Sequence, residues 1–134
     1  MTDIAPSTTT GKPRVLTVDD SATSRRQLRQ ALEGGGIIVA EAAEGVEALW
    51  RARQQVFDLI LTDIHMPTMD GLEFIRELRK SPGYEKTPVY VLTSDGSRDR
   101  LTEGRAAGAT AWIVKPPNLP LLVESIWKAV GGRR

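Results

Sequence analysis

The chain has 134 residues, 40% of them hydrophobic, and its 18 Lys and Arg against 17 Asp and Glu leave a net charge of +1. This length fits one domain, the balanced charge argues against a nucleic-acid or membrane-surface binder, and no apolar run reaches the roughly 18 residues of a membrane span. The absence of cysteine and the single histidine exclude a disulfide framework, a cysteine-based site and a multi-histidine zinc site, so we expect a small cytoplasmic domain.

Short apolar runs alternate with helical patterns along the chain. The Thr-, Ser- and Pro-rich residues 1–13 predict a disordered N-terminal tail, residues 131–134 predict a short C-terminal tail, and residues 14–130 form the predicted domain. The predicted strands cover residues 14–18, 37–40, 59–61, 89–92 and 111–114. The predicted helices cover residues 21–33, 46–54, 71–80 and 98–107, and a fifth begins after Asn118.

The five strand patterns are nearly continuous apolar runs, which is typical of strands buried on both faces. Alternation with helices predicts an α/β fold, a doubly wound parallel sheet with right-handed crossovers and helices on both sides. Within the second helix, Val46, Leu49 and Trp50 form the predicted apolar face. In such sheets ligands bind beyond the carboxyl ends of the strands, so candidate functional residues are expected there.

Polar residues follow four of the five predicted strands. Asp19 and Asp20 follow the first strand, Asp63 the third, Thr93 the fourth and Lys115 the fifth. Three carboxylates at one edge of a sheet repel one another unless a cation offsets their charge, and Mg²⁺ and a lysine would both do so. The pattern therefore predicts a Mg²⁺-dependent phosphoryl site in which one carboxylate can be the nucleophile.

Each of these residues also has a simpler interpretation when it is taken alone. The two adjacent acids fit helix capping, Asp63 fits a turn, Thr93 fits a strand and Lys115 fits a solvated edge. These interpretations are independent of one another, whereas one site accounts for all four strand ends. The joint pattern therefore favours the phosphoryl site.

Four segments of the chain resemble the receiver domain of bacterial two-component response regulators, in its single-domain, chemotaxis-regulator-like (CheY-like) form. The resemblance covers about residues 14–130, and the stretch from Asp63 to Gly71 is its most specific part. It implies a flavodoxin-like (βα)5 fold with the strand order 2-1-3-4-5. The four segments are Val15-Leu16-Thr17-Val18-Asp19-Asp20-Ser21, Asp58 to Gly71, Val91-Leu92-Thr93-Ser94, and Gly108-Ala109 leading to Lys115-Pro116.

The resemblance implies a role for each acidic residue. Asp63 would accept a phosphoryl group from a phosphohistidine on a sensor histidine kinase or a histidine phosphotransfer protein. Asp20 would bind Mg²⁺ directly, Asp19 would help through a water, and Asp63 and the backbone carbonyl of His65 would supply further ligands. Such a protein is not an enzyme with a separate substrate, because it catalyses only its own phosphorylation and dephosphorylation.

The resemblance also implies how the signal leaves the domain. Lys115 would contact the acceptor carboxylate and the incoming phosphoryl group, and Thr93 would turn its hydroxyl onto a phosphoryl oxygen. Trp112 stands at the family's switch position. A change in its side chain would alter the affinity of the surface formed by the fourth helix, fifth strand and fifth helix for a downstream protein. We expect a monomer, with a weak dimer on activation, and neither DNA nor a membrane as partner.

The sequence departs from the usual family pattern at the switch position. That position usually holds Tyr or Phe, and the bulkier Trp112 fits either a rotating switch or a fixed packing side chain. His65 and Asp95 occupy the two positions that tune the dephosphorylation rate in this family. The resemblance implies a cis peptide bond before Pro116, whereas the base rate for X-Pro bonds favours trans.

Three other functions use related chemistry or the same fold. A haloacid-dehalogenase-type phosphohydrolase needs a second Asp two residues after the nucleophile, where this chain has His65. A flavin electron carrier needs a glycine-containing phosphate loop after the first strand, where this chain has Asp19 and Asp20. An unphosphorylated docking module is disfavoured because the acidic, hydroxyl and lysine positions of a receiver are all present.

Overall fold

The computed structural model of the protein describes residues 11–131, in which five strands alternate with five helices. The strands are β1 (Arg14–Val18), β2 (Ile38–Ala42), β3 (Leu59–Thr62), β4 (Val89–Thr93) and β5 (Ala111–Val114). The helices are α1 (Ala22–Gly34), α2 (Gly45–Gln54), α3 (Gly71–Lys80), α4 (Arg98–Ala107) and α5 (Leu119–Ala129).

The strands form one parallel sheet in the order β2-β1-β3-β4-β5, which confirms the predicted fold. β2 continues past the predicted end at residue 40, because Glu41 and Ala42 stay in register with Thr17 and Val18 of β1. The order places β1 and β3 side by side at the centre, where their carboxyl ends meet. This topology brings residues that follow different strands to one edge of the sheet.

Two apolar layers cover the two faces of the sheet. One layer joins strand residues such as Leu16 and Ile60 to α2 and α3, where Phe74 is fully buried. The other joins Val15 and Leu59 to α1 and α5. Because adjacent strand residues point to opposite faces, the continuous apolar runs supply both layers at once.

Two local features hold the loop between β3 and α3. Asp70 caps α3, and its carboxylate accepts a hydrogen bond from the Glu73 N–H at 2.9 Å. A Cβ atom on Gly71 would lie 2.1 Å from the backbone oxygen of Asp63, so that only glycine allows this approach. The start of α3 is therefore packed directly against the residue that follows β3.

The predicted apolar face of α2 is wrong in two of its three residues. Leu49 is buried, but Val46 is 46% exposed and Trp50 is 60% exposed. The helix packs instead through a stripe of mostly small residues, which are Gly45, Ala48, Leu49 and Ala52. Small side chains let the helix backbone approach its neighbours closely.

The predicted tails fall mainly outside the described residues. Residues 1–10 and 132–134 are not among them, whereas Pro13 is buried and its carbonyl accepts a hydrogen bond from the Ile38 N–H at 2.9 Å. Packed structure thus begins at least one residue before β1. Among residues 11–131, none of the helices has the length and hydrophobicity needed to cross a membrane.

Candidate functional site

An ion-paired cluster forms at the carboxyl ends of β1, β3 and β5. The ammonium group of Lys115 donates to Asp19 Oδ2 at 2.8 Å and to Asp63 Oδ2 at 3.1 Å. The two carboxylates follow neighbouring strands, and Lys115 reaches both from the far edge of the sheet. The structure therefore brings together three of the residues that the sequence placed in one site.

The two oxygens of the Asp63 carboxylate have different partners. Oδ1 accepts hydrogen bonds from the backbone N–H groups of Ile64 at 2.6 Å and His65 at 3.3 Å. Oδ2 contacts the Lys115 ammonium, and the residue is 8% exposed. Backbone amides hold one oxygen and the Lys115 ammonium contacts the other, so the carboxylate has a fixed orientation.

Asp19 and Asp20 are adjacent in sequence but lie in different environments. Asp19 is 2% exposed, and its Oδ1 accepts from the Ser21 N–H at 2.9 Å while Oδ2 accepts from Lys115. The side chain of Asp20 is exposed and has no hydrogen bond or ion pair within residues 11–131. One acid is thus built into the fold, and the other is open to a ligand.

Burial and hydrogen bonding act in opposite directions on the pKa of Lys115. Its side chain is only 23% exposed, and this burial lowers the pKa of the ammonium group. The hydrogen bonds to Asp19 and Asp63 and their negative charges together outweigh that effect, so the pKa lies above its ordinary value. The lysine is therefore a cation throughout the physiological pH range.

The oxygen donors at this edge fit a magnesium ion. Mg²⁺ is held by one or two carboxylates together with waters and substrate phosphates, and it does not need a complete protein cage. Within residues 11–131 no three His, Cys, Asp or Glu side chains form such a cage. The candidate ligands are the open Asp20 carboxylate, the Asp19 and Asp63 carboxylates and the His65 backbone carbonyl.

Thr93 connects the site to Trp112 through the backbone of Asp95. The Thr93 hydroxyl is fully buried and accepts from the Asp95 N–H at 3.2 Å. The Asp95 carbonyl in turn accepts from the Trp112 indole N–H at 3.2 Å. The Trp112 ring lies against Gly104 of α4, where a Cβ atom would come within 2.3 Å of ring atom Cζ3.

The two predicted rate-tuning residues face each other beside Asp63. His65 Nε2 lies 3.4 Å from Asp95 Oδ2, and the His65 side chain is 55% exposed. The pKa of the Asp95 carboxyl is lowered by hydrogen bonds from the Ser97 backbone and side chain and, to a smaller extent, by His65.

The peptide bond between Lys115 and Pro116 is cis.

A group of charged residues on β2 and α1 was missed by the sequence interpretation. Glu41 was assigned no part in the site, yet its carboxylate accepts hydrogen bonds from both Arg25 and Arg29. Arg25 also donates to the backbone carbonyl of Asp19. The spacing of the two arginines, four residues apart on one helix, places both on one face and is the signal that could have indicated a shared acidic partner.

Residues 15–127 match the sequence model of the response regulator receiver domain. The chain belongs to this family. Chemotaxis protein CheY of Pseudomonas aeruginosa is 34% identical over 116 residues, which cover 86% of this chain and 94% of that protein. Transcriptional regulatory protein ResD of Bacillus subtilis is 38% identical over 107 residues, which cover 80% of this chain but only 43% of that protein. The receiver domain thus spans less than half of some of the curated relatives that it matches.

Solved receiver structures share the arrangement of this chain. Chemotaxis protein CheY4 of Vibrio cholerae is 39% identical with a TM-score of 0.84, and the match covers 88% of this chain and 98% of that one. The receiver domain of sensor histidine kinase PA1611 of Pseudomonas aeruginosa is 25% identical with a TM-score of 0.83, over 90% of this chain and 98% of that one. That second structure was solved with a magnesium ion coordinated in its active-site cleft.

Proposed function

We propose that this receiver domain accepts a phosphoryl group on Asp63, in a Mg²⁺-dependent reaction, from a phosphohistidine of a sensor histidine kinase or a histidine phosphotransfer protein. The observation that carries the proposal is the Lys115 ammonium shared between the Asp19 and Asp63 carboxylates at the strand ends. The magnesium-bound receiver structure of PA1611 supports the choice of metal.

The transfer requires positioning and charge neutralisation more than covalent chemistry. A carboxylate oxygen of Asp63 attacks the phosphorus in line, the P–N bond to the donor histidine breaks, and the electron pair stays on the imidazole nitrogen. Backbone amides hold the acceptor at one oxygen, and Lys115 faces the oxygens on which negative charge collects. A bound Mg²⁺ would neutralise further charge, with Asp20 as its open carboxylate ligand.

The response to phosphorylation would begin at Thr93. Its hydroxyl turns from the Asp95 N–H toward a phosphoryl oxygen, which frees the backbone that also holds the Trp112 indole. The surface of α4, β5 and α5 then changes its affinity for a downstream target protein. Val114, 48% exposed, and Leu121, 60% exposed, supply apolar contacts on that surface.

The domain catalyses only its own phosphorylation and dephosphorylation, and it signals through protein contacts and binds neither DNA nor a membrane. Its near-neutral net charge of +1 and the 94% coverage of a whole chemotaxis protein support this assignment over a nucleic-acid-binding role.

Phosphorylation by a small-molecule donor tests the proposed acceptor. Acetyl phosphate with Mg²⁺ should give one labile phosphoryl adduct in intact-protein mass spectra, and the adduct should be lost in Asp63→Asn and in excess chelator. Asp99→Asn, which changes an exposed acid in the first turn of α4, is the matched control and should keep the adduct. Labelling that persists in Asp63→Asn would remove the acceptor assignment, and full labelling in chelator would remove the metal.

A further inference from the structure

Arg25 of α1 joins the end of β2 to the loop that carries the acidic residues. Its Nη1 donates to the backbone carbonyl of Asp19 at 2.5 Å, and its Nε donates to Glu41 Oε1 at 3.0 Å. The Arg25 side chain is only 19% exposed. Charge-assisted hydrogen bonds that are shielded from water are short and strong, so both contacts restrict the guanidinium to one orientation.

Glu41 is itself held in place by a second arginine. Arg29 Nε donates to Glu41 Oε2, and its Nη1 donates to Glu33. The hydrogen bond from Arg29, opposed by burial and assisted by Arg25, keeps the pKa of the Glu41 carboxyl below its ordinary value. The anchor of Arg25 is therefore an ionised carboxylate with both oxygens occupied, on a strand that pairs with β1.

Every polar group of Asp19 has a fixed partner, and Arg25 supplies one of them. The Asp19 N–H donates to the Ala42 carbonyl at 3.1 Å, and the two carboxylate oxygens accept from Ser21 and Lys115. Arg25 is the donor to the remaining group, the backbone carbonyl. That carbonyl belongs to the peptide between Asp19 and Asp20, so the arginine sets the plane of this peptide.

The orientation of that peptide matters most for Asp20. The Asp20 side chain is exposed and makes no hydrogen bond or ion pair within residues 11–131, so no side-chain contact there sets its position. Its position is set by the backbone on which it stands.

We propose that Arg25 is a positioning residue of the phosphoryl site. It ties the peptide between Asp19 and Asp20 to Glu41 of β2, and it thereby presents the Asp20 carboxylate to Mg²⁺. This inference rests on the proposed function, because it assumes that Asp20 is a ligand of the metal.

Arg26 provides a matched control for charge and position. It is the next residue of the same helix, it is exposed, and it forms no ion pair or side-chain hydrogen bond within residues 11–131. Arg25→Gln and Arg26→Gln therefore remove the same charge from the same helix turn. Only the first removes the contacts with Asp19 and Glu41.

The experiment titrates each unphosphorylated protein with Mg²⁺ alone and follows the backbone amide signals of the loop after β1 by NMR. Arg25→Gln should raise the Kd for Mg²⁺ about tenfold, as expected when a partner that orients metal ligands is lost, and Arg26→Gln should leave it unchanged. Phosphorylation by acetyl phosphate should slow in Arg25→Gln at low Mg²⁺ and recover to within about twofold of wild type at saturating Mg²⁺.

Thermal denaturation separates positioning from general stability. If Arg25→Gln lowers the Tm but leaves the Mg²⁺ titration of the folded protein unchanged, Arg25 only stabilises the packing of α1 against the sheet, and the proposal is wrong. Equal Kd values for the two Gln variants would also overturn the proposal. If Arg25→Gln does not fold, Arg25→Lys against Arg26→Lys replaces it, because one ammonium cannot reproduce the planar guanidinium that spans Asp19 and Glu41. Wild-type protein that neither binds Mg²⁺ nor takes up phosphate would instead refute the proposed function itself.

Discussion

The sheet is packed firmly around Asp63, the proposed acceptor, and loosely at its β5 edge. All four residues of β3 are buried, and α3 buries five of its ten residues, among them Phe74 and Leu78. At the other edge no residue of β5 is fully buried, and α4 buries only Gly104 and Ala107. Because buried apolar area supplies most of the stabilising free energy, the acceptor region is held by many contacts and the α4 region by few.

This difference fits the two tasks of a receiver domain. Phosphoryl transfer needs a carboxylate fixed to within a fraction of an ångström, which the rigid β3–α3 region provides. A response needs an element that can move at a small cost in free energy, and weakly packed elements open most readily. The Thr93, Asp95 and Trp112 contacts cross the boundary between the two regions.

The largest effect predicted from this comparison concerns core truncation. Phe74→Ala in α3 should lower the free energy of unfolding by about 3–5 kcal/mol, because it leaves a cavity in a fully buried layer. Leu101→Ala removes a half-buried side chain from α4 and should cost about 1 kcal/mol. Urea denaturation of both variants measures the two values, and equal losses would contradict the difference in packing.

The acceptor side of the fold could be predicted well from the sequence. Asp70 and Glu73 mark the start of α3, and its apolar periodicity gives the buried face. The polar residues at the strand ends could also be predicted to meet, because parallel topology brings such ends together whatever the details of packing. Asp19, Asp63 and Lys115 do meet there.

Features that depend on which elements are neighbours could not be predicted in the same way. The arginine contacts of Glu41 require β2 to lie beside β1 with α1 packed against them, and that order came only from the family resemblance. The buried face of α2 was predicted wrongly because that helix carries two stripes that could be buried, one with larger apolar residues and one with mostly small residues. The larger apolar residues Val46 and Trp50 are exposed, while small residues permit the closer contact.

Alanine substitutions at two glycines test whether the two regions differ in how readily they accommodate an added Cβ atom. Gly71→Ala places a Cβ atom 2.1 Å from the backbone oxygen of Asp63, so the loop between β3 and α3 must shift. We expect a cost of about 1–3 kcal/mol and slower uptake of phosphate from acetyl phosphate.

Gly104→Ala places its Cβ atom against the Trp112 ring instead, and we expect that side chain to shift more readily than the backbone at Gly71. The gain of about 1 kcal/mol from helix propensity offsets the strain, so stability and phosphorylation rate should both stay near wild type. The fluorescence of Trp112 should change, whereas the same substitution in a Trp112→Phe background should leave the spectrum unaltered. Similar stability losses at the two glycines would show that both regions are equally rigid.

The smallest effect concerns two ion-paired glutamates, Glu41 on β2 and Glu103 on α4. The pKa of Glu41 is lowered in the folded protein by the hydrogen bond from Arg29, opposed by burial and assisted by Arg25. Its stabilising contribution is therefore present above the ordinary value of 4.5 and is lost as the pH falls through the lowered folded value.

Glu41→Gln should accordingly lower the free energy of unfolding by up to about 1 kcal/mol at pH 7, and the difference from wild type should vanish in acid. Glu103→Gln breaks an exposed pair with Arg100 on α4 and serves as the control. It should cost a few tenths of a kcal/mol at most, and less at high salt. Denaturation curves across the acid range measure both differences. A Glu41→Gln loss that persists at low pH would assign the contribution to packing and not to charge.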